Sequence, residues 1–232
     1  MKVAIMQPYF LPYIGYYQLM AAVDLFVVYD NIKYTKKGWI NRNRMLLNGA
    51  DAVFSLPLKK ASDSLCVIDR ELAGDFDRVK LLNQFMGAYA RAPQFAATQA
   101  MIEQIVRHEE ANLFHYIRHG LTRACAHLGI ASEIRASSTI AIDHELTNQD
   151  KVLAICRAVG ADTYVNAIGG KNLYSAQDFD AHGIELKFIA SKPLSYPQYG
   201  GEFVPWLSIV DVLMFNPLAE VRSCVAQNYD LI

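Results

Sequence analysis

Residues 6–19 read MQPYFLPYIGYYQL, with four tyrosines, two prolines and one glycine directly after a short apolar run, Val3-Ala4-Ile5. A strand that only packs needs none of these. Phenols offer hydrogen bonds and stacking faces, yet stay neutral near pH 7. Gln7, Tyr9, Tyr13 and Tyr16 are thus candidates to hold a polar ligand, and Gly15 to admit a phosphate close to the backbone of a helix start. The competing reading is that the tyrosines pack this helix onto a sheet.

A second group follows. Residues 33–60 carry Lys33, Lys36, Lys37, Arg42, Arg44, Lys59 and Lys60, opposed within that stretch by Asp51 alone. Tyr34 and Trp39 are interleaved with them, and Asn41 adds an amide. Cations beside an aromatic face suit a phosphorylated ligand with a sugar or base ring, such as a nucleotide sugar; the plainer reading is a solvated loop. Lys33, Arg42 and Lys59 are the expected neutralisers of phosphate or of a developing oxyanion. Asp30, closing the apolar run LFVVY, is placed to orient a hydroxyl or to accept a proton from an attacking amine.

Further along, Gly169-Gly170-Lys171-Asn172 follows an apolar run. It lacks the spacing of a nucleotide-binding P-loop, but is compatible with an anion nest at Gly170 or with a plain turn. Ser208 and Asp211 have the spacing of a helix cap, with Gln198 and Asp211 as alternative cleft residues. His115 and His119 share a helix face, but no glutamate base and no third ligand accompany them, so no metal site is expected. No nucleophile elbow is present. Asp143-His144-Glu145 reads best as a polar connection.

These groups need a scaffold. Lys2–Met6 and Leu25–Tyr29 read as buried strands, with a helix at 15–23 between them, which is the length of a βαβ unit. Residues 33–49 read as a polar loop and 51–58 as a strand. From 75 to about 130 the apolar residues recur at helical spacing, as in Phe76, Val79, Leu82, Phe85, Met86 and Tyr89, which implies a helical insert. Then come a strand at 139–142, a helix at 148–159 capped by Gly160, and strands at 162–167 and 184–190. Residues 206–215 form the last apolar segment. The expectation is one α/β domain over 1–232, a mostly parallel sheet with flanking helices and a helical insert at 75–130.

Composition narrows the function classes. The chain has 232 residues, 53% hydrophobic and 19% charged, with formal net charge −1. That balance argues against a nucleic-acid partner. The four cysteines form no CxxC pair, and no apolar run is long enough to span a bilayer. A cytoplasmic protein with a small-molecule substrate is expected; whether it self-associates is left open.

Two resemblances add to this. Nucleotidylyltransferases and related ligases of the HUP-like fold place an H-x-G-H signature at the first strand-to-helix turn. Here that position reads Tyr13-Ile14-Gly15-Tyr16, so the position and glycine match while both histidines are missing. The strings MQPYFLPYIGYYQL, DLFVVYDNIKYTKKGWINRNRM, AYARAPQF, AVGADTYVNAIGGKNLY and YPQYGGEFVPWLSIVDVLMFN resemble the WbqC-like family over nearly the whole chain. That resemblance implies a transferase or ligase of bacterial surface-polysaccharide (O-antigen type) biosynthesis, acylating an amino sugar of a nucleotide-activated sugar. It fixes no cofactor: ATP with Mg²⁺ or an acyl thioester would each serve. The alternative is a nucleotide- or sugar-binding protein without turnover.

Overall fold

The computed structural model describes every residue, Met1–Ile232. Its centre is β1 (Lys2–Met6), which leads through α1 (Ile14–Ala21) into β2 (Leu25–Val28). An antiparallel hairpin follows, β3 (Arg42–Leu47) and β4 (Ala50–Ser55). Next come the insert helices α2 (Arg78–Tyr89), α3 (Phe95–Val106) and α4 (Leu113–Leu128). The chain returns to the sheet with β5 (Glu133–Ala136), α5 (Asn148–Val159), β6 (Thr163–Ala167), α6 (Ala176–Ala181) and β7 (Glu185–Ser191). It finishes with α7 (Ile209–Phe215), α8 (Leu218–Gln227) and β8 (Tyr229–Leu231).

The sheet order is β5-β2-β1-β6-β7-β8, parallel except for β8. The α/β class with a mostly parallel sheet is therefore the observed one. Successive parallel strands step outward from β1 to β5, then cross back to β6 on the other side of β1. In such sheets the connections leave for opposite faces at the reversal, and ligands bind above the carboxyl ends there.

Each face buries its own core. Ala4, Phe26, Val28, Val165 and Ile189 join a cluster of 48 residues that continues into the insert helices. Val3, Ile5, Leu25, Val27 and Tyr164 pack on the other face against α5 and α6, through Ile155 and Phe179 among others. Strands apolar on both faces explain why they read as continuous runs. No helix is long and apolar enough to cross a membrane.

Three local expectations change. The strand expected at 139–142 lies at Glu133–Ala136, and residues 137–139 form a 3-10 turn. The Ser137 and Ser138 hydroxyls both bond to the Asp30 carboxylate, which pulls the chain out of extended geometry. The polar loop at 33–49 contains β3, whose burial alternates over Arg42, Asn43, Arg44 and Met45. Its turn is Asn48-Gly49, with φ of 52° and 78°, the left-handed pair that tight hairpins require. Helix α8 and strand β8 extend the fold past the last apolar segment.

Candidate functional site

Leaving β1, residues 7–13 cross the carboxyl end of the sheet before α1 begins. Two neighbours hold this crossing in place. The Asn43 amide of β3 donates to the carbonyls of Leu11 at 2.8 Å and Phe10 at 3.3 Å. Ser208, ahead of α7, donates its hydroxyl to Leu11 at 2.7 Å, and the Ile209 N–H donates to the Pro12 carbonyl at 2.8 Å. Leu11 itself sits at φ 45°, a conformation fixed by these surrounding bonds.

Between the crossing, the hairpin and the segment before α7 lies an open cleft of about 190 Å³, lined by Tyr9, Pro12, Tyr13, Trp39, Asn43, Arg44 and Trp206. Both tryptophans of the chain are in this wall, 41% and 66% exposed. Tyr13 meets Trp206 edge-on at 6.0 Å between centroids. The guanidiniums of Arg42 and Arg44 lie 5.7 and 5.6 Å from the centre of the Trp39 ring. Arg44 also donates to the Trp206 carbonyl at 3.1 Å and pairs with Asp51 at 3.2 Å. Trp206 has φ 61°, unusual for a bulky side chain, and its ring is turned outward and exposed.

The residues singled out from the sequence distribute as follows. Tyr9, Tyr13 and Trp39 line the cleft, and Arg42 stands at its edge against Trp39. Burial raises the Tyr9 and Tyr13 phenols above their ordinary pKa, so both act there as neutral groups. Tyr16 is buried beneath, donating its hydroxyl to the Gln7 carbonyl at 2.8 Å. A Cβ at Gly15 would lie 2.4 Å from Tyr13 Cε2 and 2.9 Å from Ser191 Oγ, so glycine here lets the Tyr13 ring and β7 close over the helix start. Asn41 bridges the loop, accepting from Tyr34 at 2.7 Å and donating to the Leu56 carbonyl at 2.8 Å. Lys33 is exposed, and Lys59 is exposed and paired with Glu71 at 2.7 Å. At Gly170 a Cβ would come within 2.7 Å of the Asn166 amide, which therefore packs tightly under that turn.

Asp30 is buried, and its carboxylate accepts from Ser137 Oγ at 2.7 Å, from the Ser138 N–H at 2.9 Å and from the Ser138 hydroxyl. Gln198 and Asp211 lie below the hairpin, away from the cleft lining. Asp211 accepts from Tyr89 at 2.9 Å, Tyr196 at 2.7 Å and Gln198 at 2.7 Å. Burial raises its carboxyl above the usual range, partly offset by these three donors. Tyr89 accepts in turn from the Leu46 N–H at 2.9 Å, so the node ties β3 to α2 and α7. Ser208 caps α7, accepting from the Val210 N–H at 3.2 Å. No group of three or more metal-ligating side chains is assembled.

The sequence did not single out Pro12, Asn43 and Trp206 for the cleft. Asn43 was hidden between two arginines, and Trp206 is brought in from more than 160 positions away.

No solved structure matches the chain. It is 30% identical over 224 residues to the uncharacterized protein Rv1507c of Mycobacterium tuberculosis, covering 94% of this chain and 95% of that protein. The model of the WbqC-like protein family matches residues 7–223, a span that takes in every residue lining the cleft. The chain belongs to the WbqC-like protein family.

Proposed function

We propose that this protein binds a nucleotide-activated sugar in the aromatic–arginine cleft and acylates the amino group of that sugar, as a transferase or amide ligase of surface-polysaccharide assembly. The observation that carries this reading is the pair of exposed tryptophans beside two arginines above the carboxyl end of β1. Exposed tryptophan faces stack on sugar or base rings, and guanidiniums form paired hydrogen bonds to phosphate. The cleft, at about 190 Å³, is smaller than the roughly 300–1,000 Å³ of a pocket that encloses a whole ligand. It accommodates one ring and leaves a diphosphate to Arg42 and Arg44 at the rim.

In the reaction, the sugar nitrogen attacks the acyl carbon of a thioester or acyl adenylate. A C–N bond forms, the C–S or C–O bond breaks to release a thiolate or AMP, and the nitrogen's proton passes to the departing thiolate or to water. An adenylate route would consume ATP with Mg²⁺. Lys33 and Asp30, the other groups expected to carry charge or take the proton, are not among the lining residues, and Asp30 is buried against Ser137 and Ser138.

One observation favours binding without turnover: the seven lining residues include no carboxylate, histidine or thiol. Both readings meet the same experiment. Since the only two tryptophans line the cleft, their fluorescence reports on it alone. Titration with UDP- and dTDP-amino sugars should quench it, and Arg44→Ala should weaken binding at least about tenfold, the equivalent of one charge-assisted hydrogen bond. No quenching by any nucleotide sugar, ATP or acyl-CoA refutes the proposal. Binding without an acylated product in mass spectra, with acyl-CoA or with amino acid plus ATP and Mg²⁺, selects the second reading.

A further inference from the structure

A separate polar centre lies at the carboxyl ends of β2 and β5, on the α5 face of the sheet. Lys151, in the first turns of α5, is 8% exposed. It takes part in none of the chain's eight ion pairs. Its ammonium donates one hydrogen bond, to the His144 carbonyl at 3.1 Å, and lies 6.0 Å from the centre of the Tyr29 ring. An ammonium has three donors, so two remain for something else. A buried ammonium with unmet donors and no ion-pair partner is costly unless an acceptor comes into contact with it.

Carboxylates lie in the neighbourhood, but none is within ion-pair distance of the ammonium. Asp30 and Asp69 act with Lys151 on the same thiol, Cys66, but Asp30 turns its oxygens to Ser137 and Ser138 and Asp69 is exposed to water. What the surroundings do supply is a second fixed polar group. Asn31 bridges Ser137 Oγ at 2.7 Å and His144 Nδ1 at 2.8 Å, so a chain of contacts runs from Asp30 through Ser137 and Asn31 to the His144 ring. His144 is only half-buried, which leaves its Nε2 edge as the free side of a positioned imidazole. Thr147, ahead of α5, makes no side-chain capping bond, and the first N–H groups of that twelve-residue helix add the positive end of its dipole. Asp150 is in the same turn but is exposed.

We infer that Lys151 and His144 form an oxyanion-binding site, distinct from the aromatic cleft, that receives a phosphoryl or carboxylate group of a small molecule. Lys151 supplies charge and two donors; His144, held by Asn31, supplies a directed ring nitrogen. The site stands whether or not the aromatic cleft binds nucleotide sugars.

The test uses the full chain in a buffer without phosphate, at constant ionic strength. Sodium phosphate and sodium acetate are titrated separately. Two readouts are taken: melting temperature, and the ring resonances of His144, assigned with His144→Gln. Phosphate or acetate at ten times its dissociation constant should raise the melting temperature by about 3–6 °C. It should also move the His144 resonances. Lys151→Met should be at least as stable as the parent without anion and should lose both responses. A response to phosphate alone assigns a phosphoryl ligand, and one to acetate assigns a carboxylate. If Lys151→Met does not fold, Lys151→Gln tests the same point while keeping a polar end. The inference is overturned if neither anion moves the His144 resonances of the parent, or if the variant responds as the parent does.

Discussion

Asp211→Asn should destabilise the fold and disturb the cleft. Asparagine at 211 keeps the volume of aspartate and one accepting oxygen. Its amide nitrogen then faces a donor among Tyr89, Tyr196 and Gln198, all of which point at the carboxylate in the parent. One existing donor loses its acceptor, and the new N–H₂ group lacks one. Two unmet donors at about 1–3 kcal/mol each outweigh the relief of no longer burying a charge. A net loss of about 2 kcal/mol or more is expected, which for a chain of this size lowers the melting temperature by at least about 4 °C. The damage should also be directional. Tyr89 holds the Leu46 N–H of β3, and β3 carries Asn43 and Arg44 into the cleft. Asp211→Asn should therefore change the tryptophan emission of the folded protein, and Tyr89→Phe should shift it the same way. The assay is differential scanning calorimetry with emission spectra recorded well below the transition. A melting temperature within about 1 °C of the parent, with unchanged emission, would refute the view that this node supports the hairpin.

Gly15→Ala places a methyl against the Tyr13 ring, which can swing away more easily than the backbone can move; tryptophan emission and cleft binding should change more than stability does. Burial pushes the thiols of Cys125 and Cys156 up to about 12, so at pH 8 an aromatic disulfide reagent should titrate fewer than four thiols in the native protein and all four in denaturant. The rings of His108 and His119 stack at 3.8 Å, and desolvation, with the His119 charge second, lowers the pKa of His108. A histidine with a lowered pKa contributes stability above its unfolded value, near 6.5, and loses it as pH falls through the folded value. Unfolding midpoints in urea should thus fall on going from pH 7 to pH 5, and fall less in His108→Gln.

Much of the scaffold could be read in advance because parallel strands buried on both faces leave unbroken apolar runs. Val3-Ala4-Ile5 and LFVV are of this kind, and Gly160 marks the end of α5 with φ 71°. The hairpin was harder. Its Asn48-Gly49 turn is a strong local signal, but Arg42 and Arg44 on the outward positions of β3 gave the segment the look of a basic loop. The 3-10 turn after β5 was hidden for another reason: it depends on a partner, Asp30, 107 residues earlier. For the cleft, residue type identified Tyr9, Tyr13, Trp39 and Arg42. The same reasoning could not separate them from Gln198 and Asp211, which share their chemistry but meet one another in the interior. The long-range bonds of Asn43 and Ser208 to Leu11, and of Tyr89 and Tyr196 to Asp211, separate the two groups, and residue type does not show them.

The position of β1 also bears on how the chain is made. It is the first of the sheet's six strands to be synthesised, yet it lies mid-sheet between β2 and β6. Once residue 136 has emerged, β5, β2 and β1 can pair, but the far edge of β1 waits for Thr163 and Tyr164. At translation speeds of about 5–20 residues per second, that wait is roughly 1–6 s. Throughout it, an apolar ribbon edge is open to any other nascent chain. Yield in cells should therefore depend on ribosome-associated chaperones and on growth temperature more steeply than the stability of the finished protein would indicate.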